Sequence, residues 1–166
     1  MLQGNGAVQT IFTLAMVLLT AAVAVAREPW MDFQVLSDLG FRSSSPVYRA
    51  INSRDEWIAL WKSTDTGFGA SKIDSIPEVE FQKYTLLVAS SGTKPNAGYS
   101  VSFAAVKDFN GGVMASVIEI VPGPNCPTAQ EITHPFAFAL IPKSSKHIAF
   151  VVSSATKDCS KLKEIK

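Results

Sequence analysis

Hydrophobic and polar positions change rhythm along this chain, and each change marks an element. Residues 84–89, Tyr-Thr-Leu-Leu-Val-Ala, form an apolar run of strand length and read as a buried strand. Residues 99–103 alternate large and small side chains, the pattern of a half-buried strand, and open a strand read over 99–106; residues 113–121 form another. Between those two lies Asp108-Phe109-Asn110-Gly111-Gly112, whose Asn-Gly step is the strongest short-range signal for a hairpin. Residues 136–141 and 148–152 are further apolar runs, and the six residues Pro142-Lys143-Ser144-Ser145-Lys146-His147 between them predict a second hairpin. Residues 33–36 and 46–51 read as two short strands before the first long one.

Only one segment carries a clear helical period. Trp57, Leu60 and Trp61 recur at i, i+3 and i+4, and Ile58 widens the stripe. Ser53 and Glu56 ahead of it form a capping box. In that motif the Ser hydroxyl accepts from the third helical amide while the Glu carboxylate reaches back to the Ser53 amide. Asp55 and Glu56 also place negative charge in the first turn, where the helix dipole favours it. The helix is expected to end by residues 65–69. One early amphipathic helix followed by hairpin-linked strands predicts an α+β fold, a mostly antiparallel sheet or sandwich with the helix packed on it. No internal repeat or linker divides the chain.

Composition changes this picture mainly at the N-terminus. The first 26 residues hold no Asp, Glu, Lys or Arg, residues 11–26 are nearly all apolar, and the stretch ends Ala24-Val25-Ala26 before Arg27. That is the pattern of a secretory signal cleaved after Ala26. An uncleaved membrane anchor is the alternative, since the segment approaches the ~20 residues a span requires. Residues 27–166 are then expected to form a single exported domain, secreted or periplasmic in a bacterium. With 15 basic and 14 acidic residues, a net charge of +1 and no basic block, nothing in the electrostatics points to nucleic acid. The two cysteines, Cys126 and Cys159, predict a disulfide in an exported chain, pinning the C-terminal tail to the Pro-rich loop 122–127. Neither has a second Cys or His at ligand spacing, so no metal site is expected, and no cofactor motif is found.

The chain carries no Gly-x-Ser-x-Gly, no His-Glu-x-x-His and no phosphate-binding glycine loop. The two histidines, His134 and His147, have no nucleophile or orienting acid near them in sequence. No enzymatic function is expected. The most shaped polar segment is Gly92-Thr93-Lys94-Pro95-Asn96-Ala97-Gly98-Tyr99, in which Pro95 fixes its own φ and extends Lys94 while two glycines permit unusual backbone angles. Set at the entrance to a strand, such a loop suits recognition of a partner.

These residues together resemble a known family. The capped Asp55-Glu56-Trp57 helix with Leu60-Trp61 comes first, then an apolar strand ending in Gly92. The Lys94-Pro95-Asn96-Ala97-Gly98-Tyr99-Ser100-Val101 turn and strand follow, then Val121-Pro122-Gly123-Pro124 and Thr133-His134-Pro135-Phe136. Over residues 47–152 the chain resembles the C-terminal domain of the PrcB family of protease complex subunits. That family is exported from bacteria, and its founding type accompanies and helps stabilise a secreted protease. The resemblance implies a non-catalytic accessory module whose partner is a secreted or periplasmic protease. Lys94, Pro95, Asn96, Gly98 and Tyr99, with His134, Pro135 and Phe136, are the candidate contacts. Two other readings stand beside it. The 94–99 turn is also similar to a loop of the chagasin family of cysteine-protease inhibitors, and Trp57, Trp61 and Tyr99 could serve a small-ligand carrier.

Overall fold

The computed structural model describes residues 30–36, 41–64 and 76–160. The expected signal segment, residues 1–26, and the expected helix stop at 65–69 lie outside them. The described elements run β1 (Gln34–Leu36), β2 (Pro46–Ile51), α1 (Arg54–Thr64), β3 (Tyr84–Ser91), β4 (Ser100–Phe109), β5 (Gly112–Pro122), β6 (Phe136–Pro142) and β7 (Ile148–Lys157).

Two sheets and the helix stack as three layers. Strands β1-β6-β3-β2 form an all-antiparallel sheet, and β4-β5-β7 form a second. The α+β sandwich read from the sequence is therefore the observed architecture. The four-stranded sheet is apolar on both faces because β3 and β6 lie in the middle layer. Leu87 and Ala89 with Ala137, Ala139 and Ile141 point to one side, where Val101, Phe103, Val106, Val113, Ala115 and Val117 of the second sheet meet them. Leu86, Val88 and Phe138 point to the other, where Trp57, Leu60 and Trp61 of the helix and Phe41 cover them. Trp57 is only 1% exposed, its ring set edge-on to Phe138 at 5.4 Å and to Trp61 at 5.0 Å, and its indole N–H donates to the Pro77 carbonyl. Burying both indoles in this way removes them as a small-ligand platform.

The helix begins as its sequence requires, with one difference. The Glu56 amide donates to Ser53 Oγ at 3.2 Å, but the Glu56 carboxylate accepts from the amide of Asn52, one residue further back than a capping box predicts. Asn52 is held in place there: its Oδ1 accepts from Thr85 Oγ1 and its carbonyl from Lys143 Nζ.

The Asn-Gly hairpin is as expected, with Phe109 opposite Gly112 and a register shift between Phe103 and Ala105. The second predicted hairpin does not form. Instead β6 pairs with β3 and β1, while β7 crosses to the other sheet and runs parallel to β5. The five connecting residues, 143–147, bridge the layers. Near β3, the Lys143 amide donates to the Lys83 carbonyl and the Ser144 amide to Thr85 Oγ1, while Lys146 Nζ pairs with Asp108 at 2.5 Å on the opposite sheet. A hairpin would have left the apolar inner face of β5 short of a neighbour. The crossover brings Ile148 and Phe150 beside Val113 and Ala115 instead.

Two links tie the layers and the tail. The Tyr48 hydroxyl of β2 donates to the carboxylate of Glu119 on β5, a bond between the two sheets. Cys126 and Cys159 form the expected disulfide, with Cα atoms 5.0 Å apart, joining the loop after β5 to the end of β7. Beside it Gly123 lies so close to β7 that a Cβ there would sit 2.5 Å from the Lys157 carbonyl oxygen, to which its own amide donates.

Two expectations follow. The cysteines are 33 residues apart, so replacing both by serine should lower unfolding stability by roughly 3–4 kcal/mol in the chain-entropy description, read by urea denaturation. Partial burial first, and then the Glu119 carboxylate, hold the Tyr48 phenol well above its ordinary range. A raised folded-state pKa contributes stability that is complete below the unfolded value of about 10 and is lost as pH rises through the folded value. Of the three tyrosines, Tyr48 should therefore stay un-ionised in an ultraviolet titration until the chain unfolds at alkaline pH. Its ionisation while the chain is still folded would remove the Glu119 bond from the account.

Candidate partner-binding loops

The strand ends of the four-stranded sheet bring the two predicted loops together. As β3 leaves the sheet at Ser91 it turns at Gly92, whose φ of +75° belongs to the left-handed region. A Cβ at Gly92 would lie 3.0 Å from both the Ser44 carbonyl oxygen and the Ser45 carbonyl carbon, so close approach also requires glycine there. Lys94 then pairs with Thr133 in both directions: the Lys94 amide donates to the Thr133 carbonyl at 2.8 Å and the Thr133 amide to the Lys94 carbonyl at 3.1 Å. Thr133 Oγ1 donates to the Asn96 carbonyl at 3.0 Å, and the Ala97 amide donates to the Ala129 carbonyl at 3.0 Å. The turn at 94–99 is thus laced to residues 129–133 along its length.

Each named residue has a definite place in this assembly. Pro95 is exposed at the tip, and Asn96 is half-buried, its Oδ1 without a hydrogen-bond partner among the described residues. Gly98 has φ +100° and lies against Thr128 and Pro122. Tyr99 is half-buried and precedes β4 instead of opening it, with Lys94 Nζ 5.6 Å from its ring centroid. His134 Nδ1 lies 3.1 Å from the Ser43 carbonyl and 3.4 Å from Thr93 Oγ1. A carbonyl can only accept, so Nδ1 carries the proton and the imidazole braces three chain segments. The Pro135 carbonyl accepts from the Ser91 amide and from Ser90 Oγ. Phe136 turns inward, 5.9 Å from Phe41 and 5.3 Å from Phe138, so it supports the loops from beneath.

A third strip of this surface, residues 41–45, was not among the residues expected from the sequence. Ser43 is buried and Ser44 accepts from the Thr93 amide. A polar Arg-Ser-Ser-Ser run before Pro46 marked a loop, but its association with His134 depends on contacts remote in sequence. Phe41, Arg42, Glu131, Ile132, His134 and Phe136 line a groove of about 470 Å³ beside the bridge. Ile132 is 67% exposed, a large apolar side chain in a groove it shares with Arg42 and Glu131. The arrangement offers backbone and side-chain polar groups around one apolar contact, suited to binding a protein surface. Among the described residues no group of His, Cys, Asp and Glu could hold a metal ion.

Residues 85–142 match the family model described as PrcB C-terminal. The matched segment runs from β3 to the end of β6 and so contains both candidate loops, within the wider span 47–152 of the resemblance. Neither the curated proteins nor the solved structures hold a significant match to the chain.

The Gly92 geometry predicts that Gly92→Ala is destabilising, by about 1–2 kcal/mol for an L-residue in the left-handed region. Thermal unfolding measures it, and a neutral result would mean that the turn can leave the left-handed region at residue 92 and residues 43–46 can retreat from it.

Proposed function

We propose that this chain, with its PrcB C-terminal segment, is an exported, non-catalytic accessory module that binds and stabilises a secreted or periplasmic protease through the 94–99 and 133–136 loops. The observation that carries the reading is the reciprocal Lys94–Thr133 pair, which joins two loops distant in sequence into one preformed surface. A surface already ordered loses little conformational freedom on association. Ile132 supplies an apolar contact beside it, and Lys94, Asn96 and Tyr99 supply polar and aromatic ones. Export is supported by the uncharged apolar N-terminal segment and by the cysteine pair at bonding distance. The non-catalytic role is supported by the sequence, which carries none of the common catalytic motifs.

The test begins with gentle crosslinking and co-purification of the tagged chain in its native host. A stoichiometric protease is expected, and its half-life should lengthen when this chain is present. Inhibition in place of stabilisation would favour the inhibitor reading of the 94–99 turn. The double variant Asn96→Ala/Tyr99→Ala should weaken the complex about 10-fold or more at unchanged melting temperature. Undiminished affinity would remove the turn from the contact surface.

A further inference from the structure

The four edges of the two sheets are not equally protected. β1 is only 3 residues long, and β2 is 6 residues long, opens with Pro46 and carries Arg49 at its middle. The β4 edge has an irregularity between Phe103 and Ala105 and is met by Trp30 and Met31, whose amide donates to the Val106 carbonyl. Shortness, proline, charge, bulges and covering segments are the devices by which sheets avoid pairing with other chains. The fourth edge, β7, has none of them from Ile148 to Thr156. It is 10 residues long, unbroken in register with β5, and no described strand pairs with its other side.

The backbone phase of that edge can be read from its two ends. The Val113 amide donates to the His147 carbonyl and the Gly123 amide to the Lys157 carbonyl, so odd-numbered residues direct their polar groups at β5. In a parallel ladder the alternate residues then face outward. Ile148, Phe150, Val152, Ser154 and Thr156 therefore present their N–H and C=O groups to the open edge.

We propose that β7 is a self-association edge, pairing antiparallel with β7 of a second copy about a dyad at Val152. Two strands of the same sequence meet in phase only if outward-facing residues oppose outward-facing residues. A dyad on Val152 does this with the longest overlap: Val152 faces its own counterpart, Phe150 faces Ser154, and Ile148 faces Thr156. The result is an isologous dimer with a continuous six-stranded sheet. Two independent features favour this occupant and register. Val151 and Val152, 50% and 41% exposed, are the most exposed large apolar side chains of the strand, and both lie at its midpoint, where each copy would cover the other. The same register sets Asp158 of one copy opposite Lys146 of the other, and between residues 146 and 158 no two lysines or two acids fall opposite each other. This pairing uses an edge the 94–99 and 133–136 loops do not, so it stands or falls apart from the accessory reading.

Sedimentation equilibrium of the purified chain should give twice the chain mass at high protein concentration and the single-chain mass on dilution. Val152→Lys sets two like charges at the dyad and should leave only monomer, with a melting temperature within about 2 °C of the unaltered protein. Val152→Cys, which keeps a small apolar side chain, should be joined into a covalent dimer by a short bis-maleimide. The control Ser102→Cys, on β4 and five strand spacings (about 24 Å) from its counterpart in the joined sheet, should not. A monomer at all concentrations with no crosslinking through residue 152 overturns the proposal. So does a dimer that persists in Val152→Lys.

Discussion

Both faces of the β3–β6 pair must be kept from water, and that constraint organises the rest of the molecule. Leu87, Ala139 and Ile141 on one face and Leu86, Val88 and Phe138 on the other are all fully buried, so neither face can be left to solvent. A single helix of 11 residues can cover one side, and it does so with aromatic bulk: Trp57, Trp61, Phe41 and Phe138 pack with centroids 5.0 to 6.4 Å apart. The other side needs a second sheet. The β4–β5 hairpin supplies two of its strands, and the third has to cross from the first sheet. The parallel β7, unusual beside so many antiparallel neighbours, is a consequence of covering the middle layer.

That consequence explains what could be read from the sequence and what could not. The helix and the Asn-Gly hairpin were legible because the groups that make them lie within a few residues of one another. Ser53 and Glu56 announce a helix start, and Asn110-Gly111 announces a turn, wherever the remaining chain goes. The apolar runs at 136–141 and 148–152 were also legible as strands. Their partners were not, because a run buried in the middle layer pairs on both sides and its sequence does not say with whom. A connector this short suits a hairpin and a crossing between layers about equally. Lys83, Thr85 and Asp108, far from the connector in sequence, decide for the crossing by holding Lys143, Ser144 and Lys146.

The candidate site shows the same division at finer scale. Proline and glycine content marked 94–99 as shaped, and residues 133–136 stood out through the family resemblance alone. Their union through Lys94 and Thr133 is a non-local pairing that no periodicity signals. Residues 43–45 went unread for the same reason: their importance lies in carbonyls, which every residue has, offered to His134 and Thr93. Asn52 is a smaller instance. It takes the Glu56 carboxylate because Thr85 and Lys143 fix its position, a role invisible in the capping motif itself.

The disulfide gains a meaning from this wiring beyond restraint of the tail. Cys159 holds Cys126, and the chain continuing from Cys126 reaches Thr128 and Ala129 within three residues. Thr128 lies against Gly98, and the Ala129 carbonyl accepts from the Ala97 amide. The 94–99 turn is therefore supported from one side by the core, through Gly92 and the serines at 43–45, and from the other by a loop anchored covalently to the end of β7. Two supports of different kind leave the turn few alternative conformations, although it carries no regular secondary structure of its own. A recognition surface made of loops requires that kind of bracing, because conformational freedom in the free protein must be given up on binding.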